Sequence, residues 1–156
     1  MQIHYFTFSP FMENTYLVWD DTGQAVVIDP GMSEEAEWAE FQQFVEEKGL
    51  EIRLLLNTHC HIDHCFANAR VKEAYGVELW IHENEQEMLK TAAQQAQFFG
   101  LNPYPFFADS SPDRFIDEGD RVSWGNSAFD ILFVPGHSPG HIAFYDREAN
   151  CCINGD

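Results

Sequence analysis

The stretch that decides both the fold and the chemistry of this 156-residue chain is Thr58-His59-Cys60-His61-Ile62-Asp63-His64. It places three imidazoles and one carboxylate, all common metal ligands, within six residues. The run at 52–56 before it is almost continuously apolar, which predicts a strand covered on both faces. A rigid strand would direct the first two histidines into one coordination sphere. Asp63 and His64, at the start of the next helix, could then face a second cation.

Further candidate ligands lie far along the chain, each beside a predicted strand. His137 and His141 lie in a glycine-containing loop after a predicted strand at 129–134, and Asp156 follows a predicted strand at 151–153. Proteins with α/β architecture place their active sites at strand ends. A single histidine in such a loop is more often a structural residue, and His141 fits a structural role as well as one on the substrate side. The joint placement nevertheless predicts a metal centre.

The remaining pattern predicts a single α+β domain over residues 1–156. The hydrophobic fraction is 45%, which is enough for one sizeable core but hardly for two. Short β-rich runs separated by turn residues predict an antiparallel opening, and helices and strands then alternate. The predicted opening strands are 2–9, 14–19 and 24–28, the later strands are 52–56, 77–82, 129–134, 142–145 and 151–153, and the helices are 33–48 with Ser33 as N-cap, 66–75 and 83–97.

The segment 98–112 has neither a helical nor a strand period. It contains three prolines and four phenylalanines, and a loop of this length in a compact domain is usually a binding loop or a lid. Five aromatic rings in it would be exposed unless they cover a site. We therefore expect an apolar wall on the substrate side, formed by Phe98, Phe99, Tyr104, Phe106 and Phe107, although ordinary packing against the fold is an equal alternative.

Charge and composition exclude several classes of partner. Eight Lys and Arg against 26 Asp and Glu give a formal net charge of −18, which repels nucleic acid and anionic membrane surfaces. The sequence has no secretory signal and no apolar run long enough to span a bilayer. Its four cysteines show no disulfide framework. We expect a cytoplasmic protein that acts on a small molecule.

The sequence resembles a known superfamily, the metallo-β-lactamase-fold hydrolases. Within that superfamily it is most similar to the small glyoxalase II-like (hydroxyacylglutathione hydrolase-like) group. The matching motifs occur in the expected order and span essentially the whole chain. They are Val27-Ile28-Asp29-Pro30-Gly31, Thr58-His59-Cys60-His61-Ile62-Asp63-His64, Pro135-Gly136-His137-Ser138-Pro139-Gly140-His141 and Asn154-Gly155-Asp156. The segments Pro112-Asp113-Arg114-Phe115 and Glu118-Gly119-Asp120 favour the glyoxalase II-like group.

The resemblance implies a role for each matching residue. It implies a first metal held by His59, His61 and His137, a second held by Asp63 and His64, and a bridging carboxylate from Asp156. Asp29 corresponds to an acid beside the site that orients a ligating imidazole. The implied fold is an αββα sandwich. In the family, further strands, helices and a last histidine ligand follow the bridging Asp, so we expect a sandwich truncated after the Asp156 strand.

The resemblance also leaves three functions open. The first is hydrolysis of a thioester or related acyl substrate, in which two zinc ions activate a bridging hydroxide and Asp63 orients it as the catalytic carboxylate. The second is a persulfide dioxygenase with a single iron, held by His59, His137 and Asp156. The third is an inactive metal-binding fragment. A closed structural zinc site is usually rich in thiolates, and this ligand set is not.

Overall fold

A computed structural model of the chain describes residues 1–100 and 110–156. Its described strands form two stacked sheets. The strands are β1 (Gln2–Phe8), β2 (Glu13–Trp19), β3 (Gln24–Ile28), β4 (Glu51–Leu56), β5 (Glu78–Ile81), β6 (Arg114–Phe115), β7 (Arg121–Trp124), β8 (Ser127–Phe133), β9 (Ile142–Asp146) and β10 (Cys151–Ile153). The helices are α1 (Glu35–Lys48), α2 (Ile62–Cys65), α3 (Asn68–Tyr75) and α4 (Gln86–Phe98), with a 3-10 turn at Glu83–Glu85 before α4.

The first sheet is buried on both faces because its central strands serve two cores. Its order is β1-β2-β3-β4-β5-β6, antiparallel from β1 to β3 and parallel from β3 onward. In β3, Ala25 and Val27 pack in the core on the helix side, and Val26 and Ile28 pack against the second sheet. Successive strand side chains point to opposite faces, so a continuous apolar run fills both cores.

The second sheet closes the other core. Its order is β10-β9-β8-β7, with antiparallel pairing throughout. Phe129, Ile131, Phe144 and Ile153 of this sheet are buried in the core shared with the first sheet. The layers therefore run from helices to mixed sheet to antiparallel sheet. That residues 1–156 form a single domain remains a prediction.

Helix α1 shows one local correction to the sequence analysis. The helix was expected to have Ser33 as its N-cap, but it begins at Glu35 with Glu34 at the cap position. The Glu37 carboxylate accepts the backbone N–H groups of Ser33 at 2.7 Å and Glu34 at 3.2 Å. A side chain in the first turn of the helix thus reaches back to the N–H groups at and before the cap position, as the third helical residue of a capping box does. Trp38, Phe41 and Val45, which the sequence spaces at i, i+3 and i+7, are buried on its inner face.

Two other elements differ from the prediction. The helix expected over 66–75 corresponds to α3, and a separate short helix, α2, precedes it and begins directly after the His59-x-His61 segment. Strands β6 and β7 were not predicted, because two and four residues are too short to show a clear period. No helix among residues 1–100 and 110–156 is both long and apolar enough to cross a bilayer.

The pairing of the strands brings the predicted site residues to one edge. Because β3 and β4 are parallel, Asp29 and the 57–61 segment emerge side by side. Because β9 and β10 are antiparallel, the start of β9 and the end of β10 also meet. The Ile142 N–H donates to the Thr58 carbonyl at 3.0 Å and joins the two sheets there.

Candidate metal centre

Three imidazoles from the two sheets converge at this shared edge. The His61 Nδ1 atom lies 2.8 Å from His137 Nε2, which lies 3.2 Å from His59 Nε2. One nitrogen from each ring lies within 4.8 Å of the others. Three nitrogens bound tetrahedrally to one zinc ion lie about 3.4 Å apart. The cluster therefore has almost the spacing that one metal ion requires.

The ring of His59 is oriented by its neighbours. The Thr58 hydroxyl donates to Asp29 Oδ2 at 2.6 Å and lies 3.0 Å from His59 Nδ1. Since the hydroxyl has one hydrogen and gives it to Asp29, it accepts the hydrogen of Nδ1. This network places the proton on Nδ1 and leaves the lone pair of His59 Nε2 facing the other two rings.

Burial and neighbouring imidazoles disfavour protonation of two of the three rings, His59 and His61. Burial lowers the pKa of His59, and the neighbouring imidazoles lower it further. Burial also lowers the pKa of His61, with the charge of His137 acting in the same direction and the carboxylates of Asp63 and Glu85 opposing it. Neutral imidazole is the form that binds a metal ion.

A second group lies beside the first and is built around His64. Its Nδ1 atom lies 3.1 Å from Asp29 Oδ2, while its buried Nε2 atom has no hydrogen-bond partner. That Nε2 faces Asp156 Oδ1 at 3.4 Å and Asp63 Oδ2 at 3.8 Å. Burial lowers the pKa of His64, but the hydrogen bond and negative charge of Asp29, with Asp63 and Asp156, raise it above its ordinary value. An orphaned nitrogen opposite two carboxylates fits a cation between them.

Asp156 lies between the two groups. Its Oδ1 faces His64 as described above, and its Oδ2 lies 3.5 Å from His137 Nε2. The site is closed on one side, where His59 is fully buried, and open on the other, where the His137 side chain is 40% exposed. Structural zinc sites are closed, whereas catalytic sites keep an accessible position. The donor set thus fits an open site for two metal ions.

Two buried carboxyl groups near the site were not singled out from the sequence. Glu13 is buried, and its Oε1 has no hydrogen-bond partner. Burial raises the pKa of Glu13 well above its ordinary value, and the negative charges of Asp29, Asp63 and Asp156 add to this. Glu85 is the second, and its contacts are described below. The sequence contains no local signal for either group, since both read as ordinary strand or helix residues.

The residues predicted on the substrate side lie in different environments. His141 is 2% exposed and lies behind His59, with its Nε2 atom 2.5 Å from the Asn154 carbonyl. This contact ties it to the backbone before Asp156 rather than to an open surface. Phe98 and Phe99 are exposed at the end of α4. The other three predicted rings, Tyr104, Phe106 and Phe107, lie outside the described residues.

The described fold and this ligand set define the class of protein: a metal-binding α+β sandwich. The model of the family described as the Metallo-beta-lactamase superfamily matches residues 9–156, so the chain belongs to that superfamily. It is 39% identical to hydroxyacylglutathione hydrolase GloC of Haemophilus influenzae, over 100% of this chain and 71% of that protein.

Solved structures show the same fold. The structure of TTHA1623 in a di-iron-bound form has a TM-score of 0.78 and 34% sequence identity, covering 97% of this chain and 70% of that one. The structure of BLEG-1 B3 metallo-beta-lactamase has a TM-score of 0.83 at 23% identity, covering 98% and 71%. These matches confirm the predicted metallo-β-lactamase-like sandwich. The chain spans between 42% and 66% of the length of seven other curated relatives.

Proposed function

We propose that this chain carries the active site of a two-metal hydrolase that cleaves a small acyl thioester. The strongest support is the position of Asp156, whose two oxygens face His137 and the orphaned nitrogen of His64. This geometry suits a carboxylate shared by two cations. Its 39% identical relative is named a hydroxyacylglutathione hydrolase, and a hydroxyacylglutathione is a thioester.

The ligand roles follow from the two groups. His59, His61 and His137 would hold the first ion, and Asp63, His64 and Asp156 the second. When bound, two zinc ions supply Lewis acidity toward a carbonyl oxygen and lower the pKa of water toward neutrality. Asp29 keeps the donor atoms in place from behind, because it binds both Thr58 and His64.

Asp63 is the carboxylate that we propose as the catalytic base. It lies in the first turn of α2, where its side chain is 21% exposed and still reaches His64. It therefore contacts both the metal-binding donors and the open side of the site. From this position its oxygen can orient a water molecule and accept a proton from it.

The proposed acyl-binding surface is continuous with the site and has an aromatic edge. Phe11 lines a small cavity together with Asp63, His64 and Asp156. Phe99 packs edge-on against Phe11, with ring centroids 5.8 Å apart. The exposed face of Phe99 therefore extends the wall of this cavity, where the hydrocarbon part of an acyl group would be removed from water.

The metal and the reaction are tested together. Metal content of the full chain is measured after zinc loading, and hydrolysis is followed for a panel of thioesters, lactones and phosphodiesters. We expect about two zinc ions per chain and a preference for thioesters. His61→Ala should abolish turnover, whereas His4→Gln, in β1 and in neither ligand group, should leave it unchanged.

Two results would overturn the proposal. One iron per chain with oxygen uptake on a glutathione persulfide would assign the persulfide dioxygenase reaction instead. The absence of bound metal from the folded full chain would indicate a non-enzymatic protein. The 34% identical TTHA1623 was solved with two irons, so iron loading is included as a parallel arm.

A further inference from the structure

Glu85 is a buried carboxylate that connects the two halves of the candidate metal centre. It is 0% exposed and lies at the end of the 3-10 turn before α4. Its Oε2 accepts the Cys60 N–H at 2.8 Å. Its Oε1 accepts the Gly140 N–H at 2.6 Å and also the Ser138 hydroxyl. With donors on both oxygens, the group acts only as an acceptor.

These donors belong to the two loops that carry the imidazoles. Cys60 lies between His59 and His61, after a strand of the first sheet, and Ser138 directly follows His137, before a strand of the second sheet. The contacts span 25 residues in one direction and 53 to 55 in the other. One side chain therefore connects two ligand-bearing loops that lie far apart in the sequence.

The packing around Glu85 leaves little room for another arrangement. A Cβ atom added at Gly140 would lie 2.8 to 2.9 Å from Glu85 atoms, so the loop can approach this closely only as glycine. The Glu85 N–H donates to the His82 carbonyl at 3.0 Å, which holds the carboxylate from behind. None of the ion pairs within residues 1–100 and 110–156 includes Glu85. Burying a carboxyl group without a cationic partner is costly, so these hydrogen bonds must offset a real penalty.

We infer that Glu85 is a positioning residue, which holds His59, His61 and His137 at the spacing that a metal ion requires. This inference rests on the proposed function, because it assigns Glu85 a purpose in metal binding. It is distinct from the role of Asp29, which acts on His64 and Thr58 within the first sheet. Glu85 instead sets the distance between the ligands of one sheet and the ligand of the other.

The test compares Glu85→Gln with a matched control, Asp20→Asn. Asp20 is also buried and also joins the two sheets, since it accepts the N–H groups of Thr22 at 2.9 Å and Asn126 at 2.5 Å. It lies before β3, at the end opposite to the metal-binding edge. Both substitutions remove one buried charge, and only one of them touches the ligand loops.

Three quantities are measured on the full chain of each variant: zinc affinity by competition with a chromogenic chelator, the visible absorption of the cobalt-loaded protein, and urea unfolding with excess chelator. Glu85→Gln should weaken the first zinc equivalent by about 10- to 100-fold and alter the cobalt spectrum. Asp20→Asn should lower the urea midpoint and leave both metal readouts unchanged. Zinc affinity within twofold of wild type in Glu85→Gln would overturn the inference. An equal loss of zinc affinity in Glu85→Gln and Asp20→Asn would also overturn the inference.

A metal-free readout separates this inference from the proposed function. Amide hydrogen exchange at Cys60 and Gly140 should be faster in Glu85→Gln than in wild type, with chelator present. Equal exchange rates would refute the positioning role even if zinc binds. Failure of wild type to bind zinc would refute the proposed function instead. If Glu85→Gln does not fold, Ser138→Ala is used instead, because it removes only one of the donors to Glu85. Zinc binding by Ser138→Ala should then be several-fold weaker than in wild type. Unchanged zinc binding would count against the inference.

Discussion

Removing the Asp29 side chain should destabilise the fold and the site together. Asp29 is fully buried, and it accepts the Thr58 N–H at 2.7 Å and the Thr58 hydroxyl at 2.6 Å, with His64 Nδ1 at 3.1 Å. In Asp29→Ala the buried N–H loses its partner, at about 1–3 kcal/mol. Losing the hydrogen bonds that the Thr58 hydroxyl and His64 Nδ1 make to the charged carboxylate adds about 1.5–3 kcal/mol each to this cost.

Two effects reduce this sum. The variant no longer buries a carboxylate, and it removes the repulsion that helps to raise the pKa of Glu13. We therefore expect a net loss of about 2–4 kcal/mol in the free energy of unfolding for Asp29→Ala. Asp29→Asn should lose less, about 1–2 kcal/mol, because Asn keeps an acceptor and tolerates the left-handed backbone at φ 52°.

Urea unfolding with excess chelator measures the effect without bound metal. At a slope of about 2 kcal/mol per molar urea, the Asp29→Ala midpoint should fall by about 1–2 M. Asp21→Ala, in the exposed turn after β2, is the control and should change stability by less than about 0.5 kcal/mol. If the free energy of unfolding of Asp29→Ala lay within about 0.5 kcal/mol of the wild-type value, this account of the network would be refuted, because exposed substitutions change stability by about that much.

Three further outcomes are expected. Gly155→Ala should weaken zinc binding more than tenfold in a chelator competition, because Gly155 has φ 66° and an added Cβ would lie 2.4 Å from Thr58 Oγ1. For Asp113, burial raises the pKa, but the Lys72 hydrogen bond and a backbone N–H outweigh this and lower it. The stability advantage of wild type over Asp113→Asn in urea unfolding should therefore be full above about pH 4 and shrink as the pH falls through the lowered pKa. Phe99→Ser should raise KM for apolar acyl thioesters in steady-state assays without changing kcat or the unfolding midpoint.

Much of the fold was predictable because local patterns and burial agree. The β-rich apolar run in β3 and the helical spacing of Trp38, Phe41 and Val45 both indicated their elements, and these residues are buried. The histidines could be grouped because each follows or precedes a strand, and strand ends meet at one edge. The predicted N-cap of α1, Ser33, was one residue too early. The Glu37 carboxylate accepts the N–H groups of Ser33 and Glu34, so the helix begins after Glu34.

The supporting residues of the site could not be predicted, because their partners lie far away in sequence. Glu85 contacts Gly140 across 55 positions, and its own segment reads as the acidic first turn of a helix. Glu13 looks like an exposed position next to a turn, yet the fold buries it against Gly31. Neither arrangement leaves a periodic signal, since each depends on one contact between two loops rather than on a repeating face.

Several departures from ordinary local preferences lie beside the predicted ligands. Asp29 has a left-handed backbone, which side chains other than glycine adopt at a cost. Within the described residues, two of the three buried polar atoms without a hydrogen-bond partner, His64 Nε2 and Glu13 Oε1, lie beside the site. Elsewhere both cores are apolar, and the pairing of β3 with β4 has one register shift, between Ala25 and Val26. A chain selected for stability alone would avoid gathering strain, unpartnered polar atoms and like charges in one corner. Bound cations would compensate the charges and the open nitrogen at once, which is why the metal-free fold is expected to be least stable where the proposed chemistry occurs.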